Sequence, residues 1–278
     1  MKFGAHVSIA GGIENAPLRA GQLGCECFQM FTRSPRGGRP PELEDRLLEA
    51  FFLNCSEASI SDYYVHTPYF INLASGKEDL REKSVALVRE ELERSSVLGV
   101  KYMMTHIGSA KDIQRDTAIN NVVDSLLRVL ENYSGKTQLL LENTAGQGHT
   151  IGASFEEISL ILRHVAYDGL GVCIDTAHMF ASGYDIRTCE GVEELVESLG
   201  AAFAPETVRL VHANDSKVEF NSGKDRHEHI GEGKIGIDCF SAMIGNPFFE
   251  DLDMIVEMPP PEVAKDVALL KELRDGGI

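Results

Sequence analysis

The sequence predicts an α/β protein folded as one (β/α)8 TIM barrel over residues 1–278. Three features predict it. Eight short runs are apolar on both faces, as parallel strands buried beneath helices must be. Longer runs with apolar residues at helical spacing lie between them, so strand and helix alternate along the chain. The length of 278 residues suits one such barrel, whose usual size is about 250 residues. An open doubly wound sheet is the other arrangement that this alternation allows.

The strands are expected at Lys2–His6, Glu26–Phe31, Tyr63–His66, Val100–His106, Gln138–Glu142, Gly171–Asp175, Val208–His212 and Met254–Glu257. The first helix is expected over Ile13–Leu23, with Ala16, Ala20 and Leu23 on one face. Lys77–Leu98 is long and charged but carries Leu80, Val85, Leu87, Val88 and Leu92. Asp112–Leu130 places Ile119, Val122, Val123, Leu126, Leu127 and Leu130 at helical spacing. Ser154–Val165 opens on Ser154 followed by Glu157, the pattern of a capping box. Pro261–Leu273 opens on a proline, which suits a first helical turn. The least regular stretches, Thr32–Pro41, Thr144–Ala153 and Ala213–Gly236, all follow strands and are expected at one end of the barrel.

Composition narrows the class. Apolar residues make up 43% of the chain, enough for a sizeable core, and no 18-residue apolar run suggests a membrane span. With no leader-like start, a cytoplasmic protein is expected. Cys25, Cys27, Cys55, Cys173, Cys189 and Cys239 are scattered without a CxxC pair, which predicts reduced, mostly buried thiols. The net charge of −17 argues against a simple nucleic-acid binder, since phosphate contacts need a basic face. It suits an enzyme that gathers carboxylates around cations.

The last six predicted strands close on His66, His106, Glu142, Asp175, His212 and Glu257, at intervals of 33 to 45 residues. Each interval is one β/α unit, and successive strand ends ring a single barrel mouth. Six ionisable side chains there would be costly to bury without cations. A mixed imidazole and carboxylate set favours zinc, with manganese or iron as alternatives. A second group, His178 with Asp225 and His227, could hold another ion with open positions. Such multi-metal sites perform phosphoester hydrolysis, and they also hold open-chain sugars in isomerases; the residue types leave the two reactions level. Two glycine patterns lead elsewhere. Gly231–Gly236 matches GxGxxG but follows a polar loop rather than a strand, so no dinucleotide site is expected. Gly146-Gln147-Gly148 reads as a tight turn beside Glu142.

Several segments, taken in order, carry a family resemblance. They are Gly4-Ala5-His6-Val7-Ser8 with Gly11-Gly12, His66-Thr67-Pro68-Tyr69, Glu142-Asn143-Thr144-Ala145-Gly146-Gln147-Gly148 and Cys173-Ile174-Asp175-Thr176-Ala177-His178. His212-Ala213-Asn214-Asp215-Ser216-Lys217, Asp225-Arg226-His227 and Gly231-Glu232-Gly233 complete the set. Over nearly its whole length the chain resembles the endonuclease IV family of apurinic/apyrimidinic endonucleases, whose barrel is xylose-isomerase-like.

The resemblance implies a DNA repair hydrolase that cuts double-stranded DNA on the 5′ side of an abasic site, leaving a 3′-hydroxyl and a 5′-deoxyribose phosphate. It implies three Zn2+ ions, with Mn2+ able to replace zinc at some positions. His66, His106 and Glu142 would hold the first, and Glu142, Asp175, His212 and Glu257 the second. His178, Asp225 and His227 would hold the third. Glu142 and Glu257 are the implied catalytic carboxylates, Glu257 as an orienter of the attacking water. Arg36, Tyr69 and Phe70 match positions that contact the bent DNA and fill the gap left by the displaced nucleotide. No protein partner is implied, and a monomer is expected.

The chain departs from the family pattern at His106-Ile107-Gly108 and Met258-Pro259, and in the loop Ser34-Pro35-Arg36-Gly37-Gly38-Arg39, which lacks the usual tryptophan. Three divalent cations would bring the net charge of −17 only to −11. DNA binding would therefore need a local basic face, expected from Arg33, Arg36, Arg39, Lys217, Lys224, Arg226 and Lys234. A sugar isomerase or epimerase on the same barrel, and a non-catalytic binder of damaged DNA, are the rival readings.

Overall fold

The structure, a computed structural model, describes residues 1–276. Eight parallel strands close into a barrel: β1 (Phe3–His6), β2 (Cys27–Met30), β3 (Asp62–His66), β4 (Tyr102–His106), β5 (Gln138–Glu142), β6 (Leu170–Asp175), β7 (Val208–His212) and β10 (Asp253–Val256). The strand order β1-β10-β7-β6-β5-β4-β3-β2 returns to its start, so the doubly wound alternative is excluded. The two remaining strands, β8 (Asp215–Ser216) and β9 (His227–Glu228), pair antiparallel in the loop after β7.

The predicted helices appear with shifted starts. Ile13–Asn15 is a 3-10 turn leading into α1 (Ala16–Gln22), and the next three are α3 (Glu78–Val97), α4 (Arg115–Leu130) and α5 (Phe155–Val165). The last, α9 (Val263–Arg274), begins two residues beyond Pro261, with Glu262 as its N-cap. Ser154 caps α5 by accepting from Glu157 N at 3.4 Å. The reciprocal half of the capping box is absent, because Glu157 accepts instead from Gly152 N and pairs with Arg115. Four helices had no prediction: α2 (Asp45–Glu57), α6 (Thr176–Ser182), α7 (Cys189–Ala202) and α8 (Ile237–Gly245). Two of them carry helical spacing in the sequence, Leu47, Leu48, Phe51 and Cys55 in α2 and Val192, Leu195, Val196 and Leu199 in α7, whereas α6 and α8 are short. No helix among the described residues is long and apolar enough to cross a membrane.

Strand alternation sorts the core into two shells. Outward side chains pack under the helices in the large outer cluster, which includes Phe28, Val65, Met103, Leu141 and Val211. Inward side chains fill the barrel as a separate cluster of Cys27, Tyr64, Met104, Leu140, Cys173, Leu210 and Ile255. On β1 the inward place belongs to Gly4, where a Cβ would lie 1.8 Å from Cys27 O. Five of the six cysteines are buried and all are free thiols. Tyr64 Oη closes the far end of the barrel on Asp253 at 2.5 Å.

Side chains alternate with period two along a strand. The residue two positions beyond each inner-shell member therefore also points inward, one layer nearer the C-terminal mouth. Those residues are His6, Gln29, His66, His106, Glu142, Asp175, His212 and Glu257. Barrel geometry alone thus gathers them in one ring.

Candidate metal centre

Glu142 stands at the centre of this ring, fully buried. One oxygen lies 2.9 Å from His66 Nε2 and 3.1 Å from His106 Nε2; the other lies 2.9 Å from His212 Nδ1. Glu257, just past the end of β10, approaches His212 Nδ1 at 3.4 Å, and Asp175 approaches it at 3.9 Å. Asp225 spans the remaining pair, with one oxygen 3.2 Å from His178 Nε2 and the other 3.1 Å from His227 Nε2.

Three groups of ligand atoms lie within 4.8 Å of one another: His66, His106 and Glu142; Glu142, Asp175, His212 and Glu257; and Asp175, His178 and His227. In the third group Asp175 joins His178 and His227, and Asp225, the expected carboxylate, lies against the same two imidazoles. His178 reaches this position because α6 starts directly at Asp175, whose carboxylate caps the helix by accepting from His178 N at 2.8 Å. His227 arrives from a different loop, pinned by the β8–β9 pairing.

The donor set fits cations. His66 Nδ1 donates to Thr67 O at 2.6 Å and His178 Nδ1 to Asn143 O at 2.9 Å, which turns the bare Nε2 of each ring toward the carboxylates. His227 Nε2 is buried without a hydrogen-bond partner although Asp225 is close, so the two atoms face a common point rather than each other. The chain alone answers its carboxylates with protons. Burial disfavours the charged imidazole of His178, but Asp175 and Asp225 overcome it and raise its pKa to about 10. His227 is likewise opposed by burial yet raised to about 9 by Asp175 and Asp225. Burial disfavours the Glu257 carboxylate too, but His212, His66 and His227 together outweigh it, bringing the group down to about 2.

Polar residues that the sequence reading did not single out hold these ligands. Asn214 Nδ2 donates to Asp175 at 2.7 Å, and its Oδ1 accepts from Glu257 N at 2.8 Å. Asn143 Oδ1 accepts from Asp175 N at 2.6 Å. Gln29 sits between His212, Glu257 and His6. The alternation that placed His66 and Glu142 would have found His6 and Gln29 as well, had the first two strands been read by register rather than by ligand type. Asp215 accepts from the backbone N–H groups of Ser216, Gly231, Gly233, Ile235 and Gly236 at 2.7 to 3.2 Å. The GxGxxG stretch is thus a loop wrapped around a buried carboxylate.

Tyr69 and Phe70 stand at the mouth, 58% and 48% exposed. Neither side chain is therefore part of the core. The Tyr69 ring lies 5.4 Å from His66 and 5.9 Å from His106. It separates a cleft of about 340 Å3, lined by His6, Phe31, Pro35, Glu257 and Met258 among others, from one of about 260 Å3 over His178, Asp225 and His227. Arg36 is exposed beside Pro35, outside the ligand cluster.

The expected basic face is smaller than predicted. Arg33 is buried, bonded through Nε to Glu91 at 2.5 Å and paired with Glu90, so it is a structural residue. Arg39, Lys217 and Lys234 each pair with a carboxylate, Glu42, Glu228 and Glu219 respectively. Arg36, Lys224 and Arg226 remain exposed, with no side-chain ion pair among the described residues.

The chain is similar to known proteins over nearly its whole length. Residues 18–273 match the family described as Xylose isomerase-like TIM barrel. A protein of Methanoculleus marisnigri named Probable endonuclease 4 is 39% identical over 98% of this chain and 97% of its own length. The chain belongs to the endonuclease IV family. An endonuclease IV family relative from Aquifex aeolicus, also named Probable endonuclease 4, is 42% identical over 92% of this chain and 91% of its own. The crystal structure of endonuclease IV from Thermus thermophilus superposes with a TM-score of 0.88 at 34% identity, covering 99% of this chain and all of the other. The family is metal-dependent, and the three ligand groups of this chain are its candidate metal sites.

Proposed function

We propose that this protein is a DNA repair hydrolase, an apurinic/apyrimidinic endodeoxyribonuclease. It cuts the phosphodiester on the 5′ side of an abasic site and leaves a 3′-hydroxyl and a 5′-deoxyribose phosphate. The observation that carries the reading is the convergence of His178, Asp225 and His227 on the same mouth as the Glu142 cluster. A two-ion sugar isomerase would have no use for that third group.

Three zinc ions fit the donors, with manganese an alternative at some positions. His66, His106 and Glu142 would hold one. Glu142, Asp175, His212 and Glu257 would hold the second. His178, Asp225 and His227 would hold the third, with an Asp175 oxygen 3.8 Å from His227 Nε2. When bound, the ions supply Lewis-acid stabilisation of phosphate charge and an acidified water.

The chain's own residues do the rest. Glu142 and Glu257 are the catalytic carboxylates. Glu257 faces the larger cleft and stays ionised, held by Gln29 Nε2 at 2.7 Å, so it accepts a hydrogen bond from the attacking water and orients it. Tyr69 and Phe70 stack against the gap in the bent duplex. Arg36, with Lys224 and Arg226, meets backbone phosphates and offsets the acidic body. The protein works as a monomer, one barrel domain over residues 1–278, in the cytoplasm.

The test uses a duplex carrying one abasic-site analogue, labelled at its 5′ end, with zinc-loaded protein and Glu142→Ala beside it. One cut on the 5′ side, with a 3′-hydroxyl and lost in the variant, is the expected result. No cut by fully loaded wild type would overturn the reading.

A further inference from the structure

We propose that Gln29 is a positioning residue, which fixes the proton-bearing nitrogen of His212 and anchors Glu257 for the ion they share with Glu142 and Asp175. The proposal rests on the metal-centre reading above.

Gln29 lies at the end of β2 and is completely buried. A buried amide must satisfy both its oxygen and its nitrogen. Its two ends are distinguished by their neighbours. One end lies 2.7 Å from Glu257 Oε1. A carboxylate oxygen only accepts, so that end must be the Nε2 amide nitrogen; the flipped orientation would set two oxygens against each other. The other end, Oε1, then lies 2.8 Å from His212 Nε2. An oxygen only accepts, so His212 must carry a proton on Nε2. Its Nδ1, 2.9 Å from Glu142 and 3.4 Å from Glu257, is the nitrogen left to bind a cation.

The second Nε2 hydrogen points at His6 Nδ1, 2.9 Å away. His6 therefore presents a lone pair there and accepts. One amide thus uses all its polar atoms, and the ends of four strands, β1, β2, β7 and β10, are tied by a single side chain. Among the described residues, Asn214 is the other amide that reaches Glu257, and it bonds Asp175 rather than the His212 ring.

Two variants separate the two halves of the role. Gln29→Met keeps the shape and removes every polar atom. Gln29→Glu keeps an acceptor for His212 Nε2–H but places a carboxylate against Glu257. Zinc-loaded proteins would be challenged with a chromogenic chelator, and the imidazole N–H signals read by 1H–15N correlation. In wild type, His212 Nε2–H is expected as a downfield signal protected from exchange. In Gln29→Met that protection is lost and one ion of the set is withdrawn about 10- to 100-fold more readily, the usual cost of losing such a partner. In Gln29→Glu the ion is weakened as well, while the protected His212 signal survives. A merely structural role would lower thermal stability without selecting one ion or moving this signal. Wild-type retention of all ions and an unchanged His212 signal in Gln29→Met would overturn the proposal while leaving the nuclease reading intact. A wild-type chain that takes up no zinc would overturn both.

Discussion

Asp215 offers the sharpest test of how the site is assembled. It follows β7 by three residues and belongs to none of the ligand groups, yet five backbone N–H groups converge on its carboxylate. Asp215→Ala removes every acceptor at once. The donors do not suffer equally. Those of Gly231, Gly233 and Gly236 are part-buried, so water can replace the carboxylate. Those of Ser216 and Ile235 are buried and would be left unpaired, at about 1–3 kcal/mol each. The expected loss of stability is therefore about 2–6 kcal/mol, not the much larger sum of five charged hydrogen bonds. In a chain of this size that lowers Tm by roughly 4–12 °C. The measurement is thermal and urea unfolding of the metal-free protein, since bound ions would add their own stabilisation. A zinc count should follow. Asp215 pairs with Glu228 across the ladder whose other rung holds His227, so loss of the loop should cost the His178, Asp225 and His227 ion first. A Tm within about 2 °C of wild type (roughly 1 kcal/mol), with that ion retained, would refute the reasoning.

Other expectations follow from the same structure. Glu91→Ala leaves the buried Arg33 without its main partner and should cost about 3–5 kcal/mol in unfolding experiments, with zinc content unchanged. Tyr69→Ala and Phe70→Ala should each weaken abasic-duplex binding by about 1–3 kcal/mol, roughly 5- to 150-fold, measurable by fluorescence anisotropy, with zinc content kept. The metal-free protein should lose stability as pH rises. His178 and His227 have pKa values raised to about 10 and 9, so their contribution is complete below about 6.5, the unfolded value, and is lost as pH passes through the folded values. The zinc-loaded protein, whose imidazoles give up those protons to the ions, should show no such decline; parallel declines with and without zinc in pH-dependent Tm scans would contradict this.

The sequence by itself determined the eight alternating β/α units and most of the ligands at their strand ends, and the closed strand order made them a barrel. Parallel strands buried on both faces read as short apolar runs, and all eight were legible to within one or two residues at most ends. Strand ends carrying His66, His106, Glu142, Asp175 and His212 then had to converge, because a closed barrel gives consecutive strands one rim. Helices α2 and α7 were legible though not assigned, from Leu47, Phe51 and Cys55 and from Val192, Leu195 and Leu199 at helical spacing, whereas α6 and α8, seven and nine residues long, are too short to show a strong pattern of their own. The tertiary structure alone decided three further matters. It showed that Arg33 turns inward to Glu91, because a loop residue's direction depends on which helix passes beneath it. It gave the GxGxxG stretch its purpose, a backbone wrapped around Asp215, which only a contact between segments 16 to 21 residues apart could reveal. And it joined Gln29 to His212, 183 residues away: an uncharged amide carries no sign of its role until the fold supplies the two partners that tell its oxygen from its nitrogen.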